Sequence, residues 1–264
     1  MVIDFHAHIY PDKVAGRAVD SVAKFYSITV QGAGTVEDLL ACGRRGGVDR
    51  FVVLPVAGVP AQVESINNFT AEVCRVNPQL AGFGTLHKDM EHPEDEIARI
   101  LSLGLRGIKL HPDMQLFYID DEGMYEIYDM LQGRLPLLLH CGDYRYEYSH
   151  PARLAKVLDL FPKLTVIAAH FGGWSLFDLA REYLGKRSCY LDVSSSIMFL
   201  GLRRAAELIR LYGAERILFG SDYPMWDPGE EKRRVDAMGL SDRELALIYE
   251  KNALHILEMA GSVV

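Results

Sequence analysis

Val2-Ile3-Asp4-Phe5-His6-Ala7-His8 reads as a short strand that finishes on two histidines. Residues two apart on a strand share a face, with Cα atoms roughly 6.6–7 Å apart, so His6 and His8 can converge on one ion. Taken alone, the pair is matched by chance. The same ending recurs further along the chain. His140 follows Leu137-Leu138-Leu139, His170 follows Val166-Ile167-Ala168-Ala169, and Asp222 closes Phe219-Gly220-Ser221-Asp222. Buried strands do not usually finish on ionisable residues unless something compensates their desolvation. Five such residues at four strand ends point to a metal site.

Outward from these ends, apolar β-branched segments alternate with amphipathic ones. Strands are expected near Val2–His6, Arg50–Pro55, Leu80–Thr85, Leu105–Leu110, Pro136–His140, Leu164–Ala168, Ser188–Val193 and Arg216–Phe219. Helices are expected over Ala61–Val76, Pro93–Ser102, Gly123–Leu131, Pro151–Leu160, Leu200–Leu211 and Arg243–Met259. Pro93 and Pro151 suit first helical turns, while Gly104, Gly133 and Gly213 suit positions just past helix ends. After a first interval of 48 residues, strand ends follow every 25–30 residues. Eight strands at that pitch predict an α/β fold, a (β/α)8 TIM barrel, over a doubly wound open sheet. With no linker and no second composition zone, residues 1–264 are expected to form one domain. The segment Ile9–Asp49 must hold additional loop or helix.

Composition narrows the function classes. The 264 residues are 49% hydrophobic and 24% charged, which suits a globular chain and excludes disorder. A formal charge of −8, from 36 acidic and 28 basic residues, argues against nucleic acid or anionic membranes as partners. Apolar runs such as Leu135–Leu139 are too short to span a bilayer. Four scattered cysteines without a Cys-x-x-Cys pair and the lack of an export signal lead to the expectation of a cytoplasmic protein. The expected partner is a small-molecule substrate, and a homodimer is compatible with the sequence. Gly32-Ala33-Gly34 is not a dinucleotide fingerprint, and there is no Gly-x-Ser-x-Gly elbow. Glu230-Glu231-Lys232-Arg233-Arg234 reads as a solvated helix face.

Asp4-x-His6-x-His8, His140, His170 and Gly220-Ser221-Asp222-Tyr223-Pro224 together resemble the amidohydrolase superfamily. More narrowly, they resemble its metal-dependent TIM-barrel hydrolases and the aminocarboxymuconate semialdehyde decarboxylase-like enzymes. Gly107-Ile108-Lys109-Leu110-His111-Pro112, Ala169-His170-Phe171-Gly172-Gly173 and Asn252-Ala253 extend the likeness over nearly the whole chain. These motifs serve the metal and say little about the substrate. The resemblance implies that His6, His8, His140 and Asp222 ligate one divalent ion, and three nitrogens with a carboxylate suit Zn2+. It also implies that Asp222 relays the proton of a metal-activated water, and that His170 stands beside the metal as acid/base or as a further ligand.

Lys109 has three readings: a carbamylated bridge between two metals, an unmodified cation facing an anionic substrate, or a partner of Asp192. The unmodified cation is the one expected. His111 is a further candidate for substrate binding, although Pro112 ends its strand. The loop Asp143-Tyr144-Arg145-Tyr146-Glu147-Tyr148 follows His140. Tyr144 and Arg145 would wall a pocket and bind a carboxylate, unless the loop merely packs on its neighbours. Trp174 and Trp226 also follow strand ends and are candidate pocket residues. The leading expectation is hydrolysis of an amide, lactone or related bond in a small carboxylate-bearing molecule. The alternatives are non-oxidative decarboxylation and a non-catalytic binding barrel.

Overall fold

The computed structural model describes residues 1–259; Ala260–Val264 of the expected domain lie outside the described residues. The strands are β1 (Ile3–Ala7), β2 (Arg50–Val53), β3 (Leu80–Gly82), β4 (Gly84–Thr85), β5 (Ile108–Leu110), β6 (Leu137–Leu139), β7 (Val166–Ala168), β8 (Tyr190–Asp192) and β9 (Ile217–Leu218). All pair in parallel, in the order β1-β2-β3 and β4 through β9. The expected third strand is therefore broken at Phe83, whose N–H donates to Val53 O while that of Gly84 donates to Gly107 O. The outer edges also meet. Phe5 N–H donates to Phe219 O, Asp222 N–H to His6 O and His8 N–H to Tyr223 O. The fold is the expected TIM barrel.

Alternation along the strands sorts the core into two layers. Leu138, Ile167 and Leu218 join Phe5, Val52 and Phe83 in one cluster, with Ala253 and Ile256 beside them. Their neighbours Leu137, Leu139, Val166 and Ala168 pack on Leu154 and Val157 of a surrounding helix. The helices are α1 (Asp12–Tyr26), α2 (Val36–Gly46), α3 (Val63–Val76), α4 (Pro93–Ser102), α5 (Pro112–Gln115), α6 (Tyr125–Leu131), α7 (Pro151–Leu160), α8 (Phe177–Leu184), α9 (Ile197–Tyr212), α10 (Pro228–Asp236), α11 (Asp242–Ala246) and α12 (Asn252–Met259). Proline opens α4, α5, α7 and α10, where its missing N–H costs nothing. Among the described residues, no helix is long and apolar enough to cross a membrane.

Several elements differ from expectation. The long first interval holds α1 and α2, and Thr35 caps α2 by accepting from Asp38 N–H at 3.2 Å. Helix α9 starts earlier than its apolar pattern indicated and carries a non-helical Gly201. The single helix expected over Arg243–Met259 is interrupted by a π-turn at Leu247–Lys251.

The charged run on α10 is not wholly solvated, because Glu231 is buried against Arg234. Burial raises the Glu231 carboxyl to about 7, Arg234 opposes the shift, and Asp4 and Glu230 add to it. An acid raised in the folded state favours folding below its unfolded pKa and loses that contribution as pH climbs through the folded value. Stability should therefore fall between about pH 4.5 and 7, by about 3 kcal/mol at 1.36 kcal/mol per unit. Thermal melts of Glu231→Gln should show a gain over wild type at pH 8 and none at pH 4. A gain of equal size at both pH values would contradict this account.

Candidate metal centre

A β-bulge aims the first strand. The three steps from Asp4 to Ala7 on β1 face only two, Phe51 to Val53, on β2. Such an extra residue redirects side chains. Asp4 accepts from Ser221 N–H at 2.9 Å, Ser221 Oγ at 2.5 Å and His6 N–H at 3.0 Å. His6 and His8 turn toward Asp222. A side chain at position 220 would obstruct this, since a Cβ there would lie 2.8 Å from His6 Cβ, and only glycine fits. His170 and Asp222 both adopt left-handed backbone, at φ 58° and 63°. Such conformations cost of order 1–3 kcal/mol in non-glycine residues and cluster at functional sites.

Hydrogen bonding settles which nitrogens face inward. His6 Nδ1 lies 2.8 Å from Asp192 Oδ2 and His8 Nδ1 lies 2.5 Å from Leu54 O. Both partners only accept, so each Nδ1 carries a hydrogen, and either ring in its neutral form presents a bare Nε2. These two nitrogens lie 3.4 and 3.3 Å from Asp222 Oδ1. That oxygen is buried and has no hydrogen-bond partner of its own. The Asp222 carboxyl is held below the usual carboxylate range and is anionic at neutral pH. Two lone pairs and an anionic oxygen crowd together with no proton between them. A cation resolves that repulsion, so these residues fit a divalent metal.

His170 and His140 complete the cluster. His170 Nδ1 donates to Ser194 O at 3.0 Å, leaving its Nε2 3.0 Å from His140 Nδ1. Burial lowers His170 to about 4, so the ring is neutral at pH 7. Ligand atoms of His6, His170 and Asp222 lie within 4.8 Å of one another, and so do those of His111, Asp113 and His140. Of the expected quartet, His6, His8 and Asp222 meet directly, whereas His140 reaches them through His170 and groups with His111 and Asp113; His170 is as near to His6 and Asp222 as a ligand would be.

Lys109 is fully buried with Nζ 3.5 Å from His6 Nε2. Burial lowers it to about 8, against the pull of Asp222 and Asp192. The pairing of Lys109 with Asp192 does not form, because Asp192 instead binds His6, His170 N–H and Ser194. Asp192 ends β8, the same strand-end signal that revealed His140, and it holds His6 in place.

The loop after β6 departs from expectation. Arg145 Nε and Nη2 donate to the Asp143 carboxylate at 2.9 and 2.6 Å, and Nη1 donates to Phe25 O at 2.6 Å. The guanidinium that sequence reasoning offered to a substrate is thereby spent on holding the end of α1. Tyr144 is 72% exposed and is not among the residues lining the pocket beside the cluster. Arg145→Met should lower Tm by several degrees and weaken binding of an acid and its neutral ester alike. Selective weakening of the acid would restore Arg145 as a carboxylate receptor.

The pocket beside the cluster has about 280 Å³ of space, counting that open to solvent, and Tyr26, Trp174, Phe199, Met225, Trp226 and Ile28 form its apolar wall. His140, His170, Ser195 and Asp222 form its polar end. Both tryptophans that follow strand ends line this pocket. Tyr26 and Ser195 were not foreseen. Ser195 donates to Asp222 Oδ2 at 2.5 Å, while Tyr26 comes from the insertion after β1, where no motif marked it.

A TIM barrel with histidines and a carboxylate gathered at its strand ends has the build of a metal-dependent enzyme. The chain belongs to the amidohydrolase family, described as Amidohydrolase, whose model matches residues 3–258. No curated protein matches it by sequence. Among solved structures, it is similar to the uncharacterized TIM-barrel protein Bb4693 from Bordetella bronchiseptica, at 20% identity and a TM-score of 0.77, covering 98% of this chain and 99% of that one. It is similar to 5-carboxyvanillate decarboxylase LigW from Sphingomonas paucimobilis, at 17% identity and a TM-score of 0.73, over 97% and 98% of the two chains. A dihydroxybenzoic acid decarboxylase from Polaromonas sp. JS666, with bound manganese and 2-nitroresorcinol, is 15% identical with a TM-score of 0.74, over 98% and 97%. At these identities the likeness carries the fold.

Proposed function

We propose that this protein is a metal-dependent, non-oxidative decarboxylase of a small aromatic carboxylic acid. The observation that carries the reading is the pocket wall. It is aromatic and apolar, holds no lysine or arginine, and opens onto the donor cluster. A wall of this chemistry suits a flat ring, whose carboxylate has to be anchored at the cluster itself. The decarboxylases of similar fold support this choice over the hydrolysis expected from the motifs. His6, His8, His140 and Asp222 would hold one divalent ion, with manganese and zinc both compatible with these nitrogen and oxygen donors. That ion supplies the positive charge that anchors substrate oxygens.

The remaining work falls to the protein. The bond from the ring carbon to the carboxyl carbon breaks, its electron pair stays on the ring, carbon dioxide leaves and a proton takes its place. Neutral His170, whose unprotonated Nε2 faces His140, takes up a proton from solvent water and hands it to the carbon. Trp174, Trp226 and Phe199 keep bulk water from the ring. Protein loaded with Mn2+ or Zn2+ should release carbon dioxide from members of a panel of benzoic acids. In D2O, one deuterium should appear at the vacated carbon. Hydrolysis of lactones or amides without carbon dioxide release from any acid would overturn the reading.

A further inference from the structure

We propose that Tyr26 selects the substrate, its hydroxyl donating a hydrogen bond to an oxygen substituent on the bound molecule, with His111 fixing that direction. The choice of probe, though not the direction of the bond, rests on the aromatic-acid reading above. His111 caps α5, and its Nδ1 accepts from Met114 N–H at 3.3 Å. A backbone amide can only donate, so Nδ1 carries no hydrogen. The ring is buried. Its one hydrogen therefore sits on Nε2, 2.7 Å from the Tyr26 hydroxyl. The imidazole donates and the tyrosine oxygen accepts. The proton of Tyr26 stays uncommitted, and among the described residues the hydroxyl has no second partner.

The surroundings give that proton a use. Outside the candidate ligands and His170, the hydroxyls lining the pocket are those of Tyr26 and Ser195. Ser195 is already spent, donating to Asp222 and accepting from Trp226 Nε1 at 2.9 Å. Tyr26 is the hydroxyl left free to donate on the wall. Its ring is pinned at the end of α1, with Trp174 edge-on at 5.5 Å and the Arg145 guanidinium over it at 5.4 Å. Arg145 also holds the preceding carbonyl, that of Phe25, so the hydroxyl cannot swing away. A ligand presenting an oxygen acceptor pairs with this donor, whereas one lacking it leaves a pocket donor unmatched.

The test has two arms. Nitrogen-15 NMR of the protein without substrate reads the His111 tautomer, and hydrogen on Nε2 is expected. Hydrogen on Nδ1 would make Tyr26 the donor to His111 and overturn the proposal. Because no substrate is present, that result stands whatever reaction the protein performs. In the second arm, Mn2+-loaded protein is titrated with 2-hydroxybenzoate and with benzoate, read by quenching of Trp174 and Trp226 fluorescence. Tyr26→Phe should weaken 2-hydroxybenzoate by about tenfold to a hundredfold and change benzoate by less than about twofold. Equal weakening of both acids would overturn the proposal.

Discussion

His6→Ala should strip the protein of its divalent ion and, with it, of turnover. His6 is the best-braced donor in the cluster, since Asp192 and Ser194 both hold its Nδ1 and direct its Nε2 at Asp222. Burial works against the Asp192 charge, but His6, His170 and Ser194 hold its carboxyl at about 2, so the brace stays anionic at working pH. Removing the imidazole deletes a donor and leaves the buried Asp192 without its principal partner. Loss of a supporting partner alone typically costs 10–100-fold in metal affinity, so Asp192→Asn should show an effect of that size. Loss of His6 itself should exceed it. Elemental analysis after dialysis measures both variants. Undiminished metal in His6→Ala would place the ion elsewhere.

His170→Ala should separate chemistry from metal binding. With His170 as the proton carrier, the variant should keep its ion and lose roughly 10²–10⁴-fold in turnover. The effect is chemical and not structural, because Ser194 keeps its bonds to Asp192 and His6 when the ring is gone. The proximity of His170 to His6 and Asp222 makes the metal measurement decisive. If the ion departs with activity, His170 belongs among the ligands and another group must carry the proton.

The barrel was legible in the sequence because its signals are local. Each strand carries its own run of apolar residues, and each helix its own proline or glycine at an end. The candidate donors were legible for a related reason: an ionisable residue finishing an apolar strand conflicts with burial, and the conflict shows without knowing its neighbours. Asp192 bears the same mark at the end of β8 and was overlooked as a brace for His6. Glu231 looked solvated because a helical charge run carries no sign of what packs over it.

By itself, then, the sequence determined the order and period of the elements and the residue types at the strand ends. Only the tertiary structure decided what those residues are free to do. Arg145 reads as an available cation until Asp143 and the Phe25 carbonyl, 120 positions away, take up its fork. Tyr26 lies in an insertion without a motif, yet α1 carries it over the pocket and His111 leaves its proton unspent. The division has a physical cause. Periodicity and capping act between residues a few positions apart, whereas tautomers, lone-pair directions and spent donors depend on partners that meet only when the chain closes on itself.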